Sequence, residues 1–275
     1  MTYKEALKIL GCTYLGGIRT SMKIEKSFQK GVCTYAVYLA PSTMARDSAH
    51  PHINLCPKSE QCKSFCLNGS GRNKVAILAN SSEGSPIQRA RIKKTHLLFD
   101  NKKLFMWILI HEIKKAKSYA EKNNMEFAVR LNGTSDINPL WLTYERKNIL
   151  EIFPNVQFYD YTKMPNRLAI PKQYPNYDLT FSYDGTNWDV CEKYLSEGGK
   201  VAVVFDVEDE KGKQILPPSY MGYDVEDANE TDARFKDRKG TIQGLHYHRV
   251  ANDYKNGVYS PRETNFVVRD RNYVS

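Results

Sequence analysis

The sequence predicts an α/β fold, a complete or partial (β/α) barrel, with a Cys-rich loop after an early strand and a more β-rich C-terminal part. Three observations predict it. Strand-like and helix-like segments alternate through the middle of the chain, the pattern of a parallel sheet. Lys200 to Phe205 (KVAVVF) is a continuous apolar run, as in a strand buried on both faces. A chain of 275 residues has the length at which α/β barrels form one domain. An open doubly wound sheet is the second choice. One domain over 1–275 is expected, with a strand and Cys loop at 31–72, helix/strand alternation at 73–206 and a β-rich tail at 207–275.

Each element has its own signal. Val32 to Leu39 (VCTYAVYL) is β-branched and aromatic and reads as a strand. Leu104 to Asn123 places Phe105, Ile108, Leu109, Ile113, Ala116 and Ala120 at helical spacing. Phe127 to Leu131 reads as a strand. Pro139 to Phe153 reads as a helix, with Pro139 in its first turn and Asp136 or Asn138 as cap. Val156 to Tyr161 and Asp178 to Ser182 are further strands. Trp188 to Glu197 reads as a helix stopped by Gly198-Gly199. Gly240 to Val250 fits a strand or hairpin.

Composition narrows the class. Hydrophobic residues are 41% and charged residues 26%, the balance of a globular chain. No apolar stretch follows the charged start of the chain, so no secretory signal is expected, and Leu104 to Ile113 is too short to span a bilayer. The host cytoplasm is the expected compartment, with no membrane partner. The net charge of +9 raises nucleic acid as a partner. The clusters at Arg89–Lys94 and Lys114–Lys117, however, read more simply as solvated helix faces. The sequence leaves the oligomeric state open.

Six cysteines occur, and Cys56, Cys62 and Cys66 fall in one polar loop as C-x5-C-x3-C. Without an export signal, disulfides are not expected. Thiolates are soft ligands for zinc, copper(I) or iron–sulfur clusters. Three on one loop can hold three corners of a [4Fe–4S] cubane and leave its fourth iron open. Zinc completed by His50, His52 or Cys191 is the alternative metal reading. Cys12, Cys33 and Cys191 read as small core residues.

Ligands bind at the carboxyl ends of strands in parallel α/β folds. The residues just past each strand are therefore the candidate pocket. Arg130, Asn132, Ser135, Tyr159 and Ser182 are the candidate binding residues. Asp136, Tyr161 and Lys163 are the candidate catalytic residues. The loop 132–136 is expected to lead into a helix N-terminus, which favours an anionic group. A small polar or anionic molecule at the open iron is the expected partner.

These pieces together resemble a family of uncharacterised phage proteins, the gene product eighty-eight family. The matching segments are Tyr38–Pro41, the Cys56–Cys66 loop with Gly69-Ser70-Gly71-Arg72, Arg130–Asp136, Phe158–Lys163, Leu179–Ser182 and Ala202–Phe205. Asp232–Asp237 followed by Gly244-Leu245 is similar to the family's closing motif. The resemblance implies a viral origin and no particular activity. A weaker likeness is to radical S-adenosylmethionine enzymes, which carry a three-cysteine cubane loop after an early barrel strand. Their usual spacing is C-x3-C-x2-C, and the departure here puts S-adenosylmethionine in doubt.

Overall fold

The computed structural model describes residues 1–69, 84–248 and 265–270. Ser70-Gly71-Arg72 of the family resemblance, and Arg249 and Val250 at the end of the expected C-terminal strand or hairpin, lie outside the described residues.

The chain begins with α1 (Tyr3–Leu10), β1 (Gly16–Ile18), α2 (Met22–Gln29) and β2 (Val32–Val37). After the Cys loop come α3 (Pro86–Asp100) and α4 (Lys102–Lys122). Strands β3 (Glu126–Arg130), β4 (Gln157–Thr162) and β5 (Tyr177–Ser182) follow, then α5 (Trp188–Ser196) and β6 (Lys200–Phe205). The remaining strands are β7 (Ser219–Tyr220), β8 (Tyr223–Asp227), β9 (Ile242–His246) and β10 (Val267–Val268).

The strands form one sheet in the order β1-β2-β3-β4-β5-β6-β9-β8-β7, with β10 also on β6. The pairs from β2 through β6 to β9 and β8 are parallel, and only the outermost β1 and β7 run antiparallel to their neighbours. The first half of β6 pairs β5 and its last two residues pair β10. Among the described residues no ladder joins β1 to β7, so the fold is a mixed α/β fold around a mostly parallel sheet.

Side chains alternate across the sheet, as the period of a strand requires. Tyr35, Val37, Val129, Phe158, Tyr177 and Leu179 enter an apolar core shared with α1, α3 and α4. Phe181, Val201, Val203 and Phe205 continue it beneath α5. The alternate positions are polar yet buried, including Thr34, Thr180 and Lys200. The segment from Ala228 to Asp237 covers this second face together with α2: Lys23 Nζ donates to the Ala228 carbonyl at 3.1 Å and the Asp232 N–H to Ser27 Oγ at 2.9 Å. Arg234, 1% exposed, is sunk into it.

Two expectations need correction. Pro139 to Phe153 is not one helix. A 3-10 turn (Pro139–Trp141) leads into a hairpin pairing Thr143–Tyr144 with Lys147–Asn148, and a single helical turn follows at Ile149–Ile152. Glu145 and Arg146 sit at φ 48° and 67°, the left-handed turn that reverses the chain. Asn148 then caps the next turn, accepting from Leu150 and Glu151 N–H groups, which outweighs helical spacing across the reversal. The Arg89–Lys94 cluster is not a wholly solvated face either. Lys94 is buried with its ammonium 4.6 Å from the Tyr14 ring centroid, and Arg91 lies over Tyr38 at 5.3 Å.

Candidate functional site

The carboxyl ends of β2, β3, β4 and β5 open into a cavity of about 500 Å³. Two loops build its walls. After β2 the chain turns at Ser42, which has φ 49°, and its carbonyl accepts from the Leu55 N–H at 3.0 Å. After β3 the loop 132–136 presses back on the first: Gly133 N–H donates to the Val37 carbonyl at 2.9 Å, Thr134 Oγ1 to the Leu39 carbonyl at 2.6 Å and Asp136 N–H to the Leu55 carbonyl at 2.7 Å. A Cβ on Gly133 would lie 2.6 Å from the Tyr38 ring and 2.8 Å from the Val37 oxygen, so the approach requires glycine.

Cys56, Cys62 and Cys66 all line this cavity. The segment Lys63–Phe65 between the last two is a 3-10 turn, and Phe65 anchors it by stacking on Phe266 at 5.6 Å and meeting the edge of Tyr247 at 5.8 Å. All six cysteines are free thiols. Burial pushes the Cys56 thiol up to about 12 and raises that of Cys66. The backbone at Ser42 and Asn68 pulls the other way for Cys56 and Cys66 respectively. The three cysteine sulfurs do not all lie within 4.8 Å of one another. Among the described residues only Asp47, His50 and His96 form such a trio. None of His50, His52 and Cys191 lines the cavity. His50 is held between Asp47 and Asp100, His52 is exposed, and Cys191 is on the buried face of α5, in the core. Cys33 is likewise core, whereas Cys12 is half-buried.

The structure brings together Arg130, Asn132, Ser135, Asp136, Tyr161, Lys163 and Ser182 with the three cysteines. Tyr159 is not among them. It points from β4 to the covered side, where its hydroxyl donates to Asp232 Oδ2 at 2.9 Å. Asn132 is spent on the loop itself: its Oδ1 accepts from Ser135 Oγ and the Ile137 N–H at 2.9 Å each, and its Nδ2 donates to Asp160 Oδ2 at 3.0 Å. Asp136 accepts from Thr162 Oγ1 at 2.8 Å and the Lys163 N–H at 3.0 Å and pairs with Arg167. It caps no helix; Asn138 does, accepting from Leu140 N–H, and the helix is only the Pro139–Trp141 turn. The expected helix N-terminus for an anion is therefore not there.

Several polar side-chain groups in the cavity make no hydrogen bond among the described residues. They include the Tyr161 and Ser182 hydroxyls, the Lys58 and Lys63 ammoniums, and the Lys163 ammonium, which stands 5.4 Å from the Phe266 ring centroid. Burial lifts Tyr161 to about 12, which keeps it a proton donor. Asp136 is the one acid among the lining residues and is neutralised by Arg167, whereas Lys58, Lys63 and Lys163 add positive charge. The lining therefore carries an excess of positive charge.

A model of the Gene product 88 family matches residues 18–260. The chain belongs to the Gene product 88 family. This bears out the resemblance to phage proteins read from the sequence. Nothing matches among curated proteins or solved structures, and the likeness to S-adenosylmethionine enzymes gains no support from the comparisons. In this Gene product 88 chain the closing motif at 232–237 supplies the buried partner of Arg130: Arg130 Nη1 reaches both Asp232 oxygens at 2.9 and 2.8 Å. Asp160, Arg167 and Arg91 are the other supporting residues that sequence reasoning missed as such. Arg91 hydrogen-bonds Asn68 of the Cys loop. No local spacing signals any of them, because their partners lie 23 to 31 positions away. Among the described residues, no helix is long and apolar enough to cross a membrane.

Proposed function

We propose that this protein is a phage-encoded iron–sulfur protein of the host cytoplasm, one domain with a partial (β/α) barrel. It binds a [4Fe–4S] cluster through Cys56, Cys62 and Cys66, with its open iron facing a small polar or anionic substrate. The observation that carries the reading is the convergence of three free thiols with unengaged hydroxyls and ammoniums on one cavity. The donor set fits the cluster. The backbone at Ser42 and Asn68 favours the thiolate forms of Cys56 and Cys66, as polar contacts to ligand sulfurs do in a cluster site. A single tetrahedral zinc, with Zn–S of ~2.3 Å, draws its sulfurs to within ~3.8 Å of one another. The three cysteines do not stand that close together, and a polynuclear cluster, in which each iron carries its own thiolate, does not require it of them.

When bound, the cluster supplies Lewis acidity or an electron at its open iron. The chain supplies the rest. Lys163 attracts and orients an anionic group, Tyr161 and Ser182 offer hydroxyls to it, and Phe65 with Phe266 shields one side from water. Asn132, Ser135 and Asp136 position the wall rather than react. Arg130 supports the floor through its pair with Asp232.

The test is purification without oxygen followed by iron, sulfide and absorbance measurements. About four irons and four sulfides per chain with a band near ~400 nm support the reading. Stoichiometric zinc without sulfide overturns it and favours a second reading, a nucleic-acid or host-factor binding protein whose Cys loop is organised by zinc. The cationic rim of Lys58, Lys63 and Lys163 is the observation behind that alternative. Its signature is binding to DNA or RNA that weakens steeply with salt.

A further inference from the structure

Asp47, His50 and His96 offer ligand atoms that all lie within 4.8 Å of one another. They come from two parts of the chain, the turn beyond β2 and the second half of α3. His50 Nδ1 is 2.8 Å from Asp47 Oδ1, and His96 Nε2 is 3.6 Å from Asp47 Oδ2 and 2.7 Å from the Ala45 carbonyl oxygen. The two rings stack with centroids 4.1 Å apart and planes 11° from parallel. Two ring nitrogens and several oxygens thus converge on one point between the turn and the helix.

A further contact gives the cluster its chemistry. The other nitrogen of His50, Nε2, lies 2.8 Å from Asp100 Oδ1. In histidine metal sites an outer carboxylate characteristically takes one ring N–H and so turns the lone pair of the other nitrogen toward the ion. With its Nε2 proton given to Asp100, His50 presents the Nδ1 lone pair to Asp47 Oδ1, which is also electron-rich. Something positive must stand between them. A proton on Nδ1 is one answer, with His96 neutral and donating its Nε2 proton to the Ala45 carbonyl; a metal ion is the other. A metal ion would draw His50, His96 and the Asp47 carboxylate onto one centre, His96 giving up its bond to the Ala45 carbonyl.

We propose that Asp47, His50 and His96 bind a divalent transition-metal ion of zinc type, with Asp100 holding His50 in the metal-binding tautomer. Imidazole with carboxylate is a borderline donor set that suits zinc and its neighbours rather than the soft ions favoured by thiolates. The site is separate from the cysteine cavity and does not depend on what the cysteines hold. Its effect is structural: the ion ties the turn at 43–50 to α3. Met44 in that turn lines the cavity, so the ion steadies one wall of it.

Titration of the full chain with Co²⁺, followed in the visible spectrum, tests the proposal. Cobalt on histidine and carboxylate gives d–d bands without thiolate-to-metal charge transfer, and any thiolate band is weakened by Cys62→Ala and untouched by Asp47→Asn. In the Cys62→Ala chain one ion is expected to remain, with the d–d bands intact. Asp100→Asn is expected to weaken it about 10-fold or more. Asp47→Asn and His96→Ala are expected to lose it, together with the rise in melting temperature that Zn²⁺ gives the unaltered chain. Should His96→Ala fail to fold, Asp47→Asn carries the test, because that side chain is 45% exposed and its replacement leaves the core intact. Absence of persistent bands in Cys62→Ala, or bands and Zn²⁺ stabilisation unchanged in Asp47→Asn, overturns the proposal.

Discussion

Arg130 and Asp232, 102 positions apart, meet beneath the cavity with one guanidinium nitrogen shared between both carboxylate oxygens. Their side chains are only 15% and 4% exposed. Asp232 also accepts from the Tyr159 hydroxyl, so one carboxylate ties β3 and β4 to the closing motif.

Removal of that carboxylate strands a buried guanidinium. Asp232→Ala is expected to cost about 3–5 kcal/mol of unfolding free energy, as for other broken buried pairs. The double variant Arg130→Met/Asp232→Leu is expected to recover part of the loss, because it removes both desolvation penalties. Urea unfolding of the three proteins measures both values. A single-variant cost below ~1 kcal/mol means the pair is solvated in solution.

The cysteines divide into two groups by location. Cys56→Ala, Cys62→Ala or Cys66→Ala is each expected to lower iron and sulfide per chain severalfold in anaerobic preparations. Cys33→Ala and Cys191→Ala remove thiols buried in the apolar core and are expected to leave the iron content unchanged. Metal analysis of all five variants compares them directly. Equal loss from a core variant and a loop variant contradicts the assignment of ligands.

Asp160 gives stability a pH dependence of defined sign. Burial pushes its carboxyl from 3.8 up to about 7, although donation from Asn132 pulls it down. A folded state that holds its proton more tightly than the unfolded chain binds more protons between those two values. Its contribution to stability is therefore full below the unfolded value and is lost as pH rises through about 7. The carboxylate oxygens accept from the Asn132 backbone N–H at 2.8 Å and from its side chain at 3.0 Å. An amide at 160 sets a donor against these donors, so Asp160→Asn is expected to destabilise by about 1–3 kcal/mol. The advantage of the natural residue over asparagine should shrink from about pH 5 to about pH 8. Denaturant unfolding at both values reads it, and an advantage that grows with pH contradicts the raised carboxyl.

The legible parts of this chain are those whose signal is local. Lys200–Phe205 appears as a strand with the bounds its apolar run suggests, and α4 extends the expected helix by two residues at its start. The cysteine trio is legible because its three sulfurs share one loop. The hairpin inside 139–153 is hidden because apolar residues on both sides of the Glu145-Arg146 reversal fall by chance at helical spacing. Lys94 and Arg91 read as solvated from their charge alone, whereas Lys94 is buried and Arg91 is half-buried over the Tyr38 ring. Asp232 carries no local mark of its pairing with Arg130, since a charge partner a hundred residues away leaves no periodicity.

Gly133 is the narrowest point of the site. Alanine there places a methyl group 2.6 Å from the Tyr38 ring and 2.8 Å from the Val37 carbonyl, the oxygen that accepts the Gly133 N–H itself. The carbonyl belongs to the end of β2 and cannot yield without disturbing the sheet, so the loop 132–136 must lift. Lifting it moves the Thr134 carbonyl, which accepts from Cys56 Sγ at 3.8 Å, and the Asp136 N–H bonded to Leu55. Overpacking of this kind costs about 1–3 kcal/mol. Gly133→Ala is expected to lose that stability and also to lower the metal content, while Gly212→Ala, strained by its φ of 74° but outside the cavity lining, is expected to leave the metal content intact. Thermal melts with metal analysis of both variants separate the effects. Full metal retention in a destabilised Gly133→Ala chain would show that the loop after β3 does not help to hold Cys56 in place.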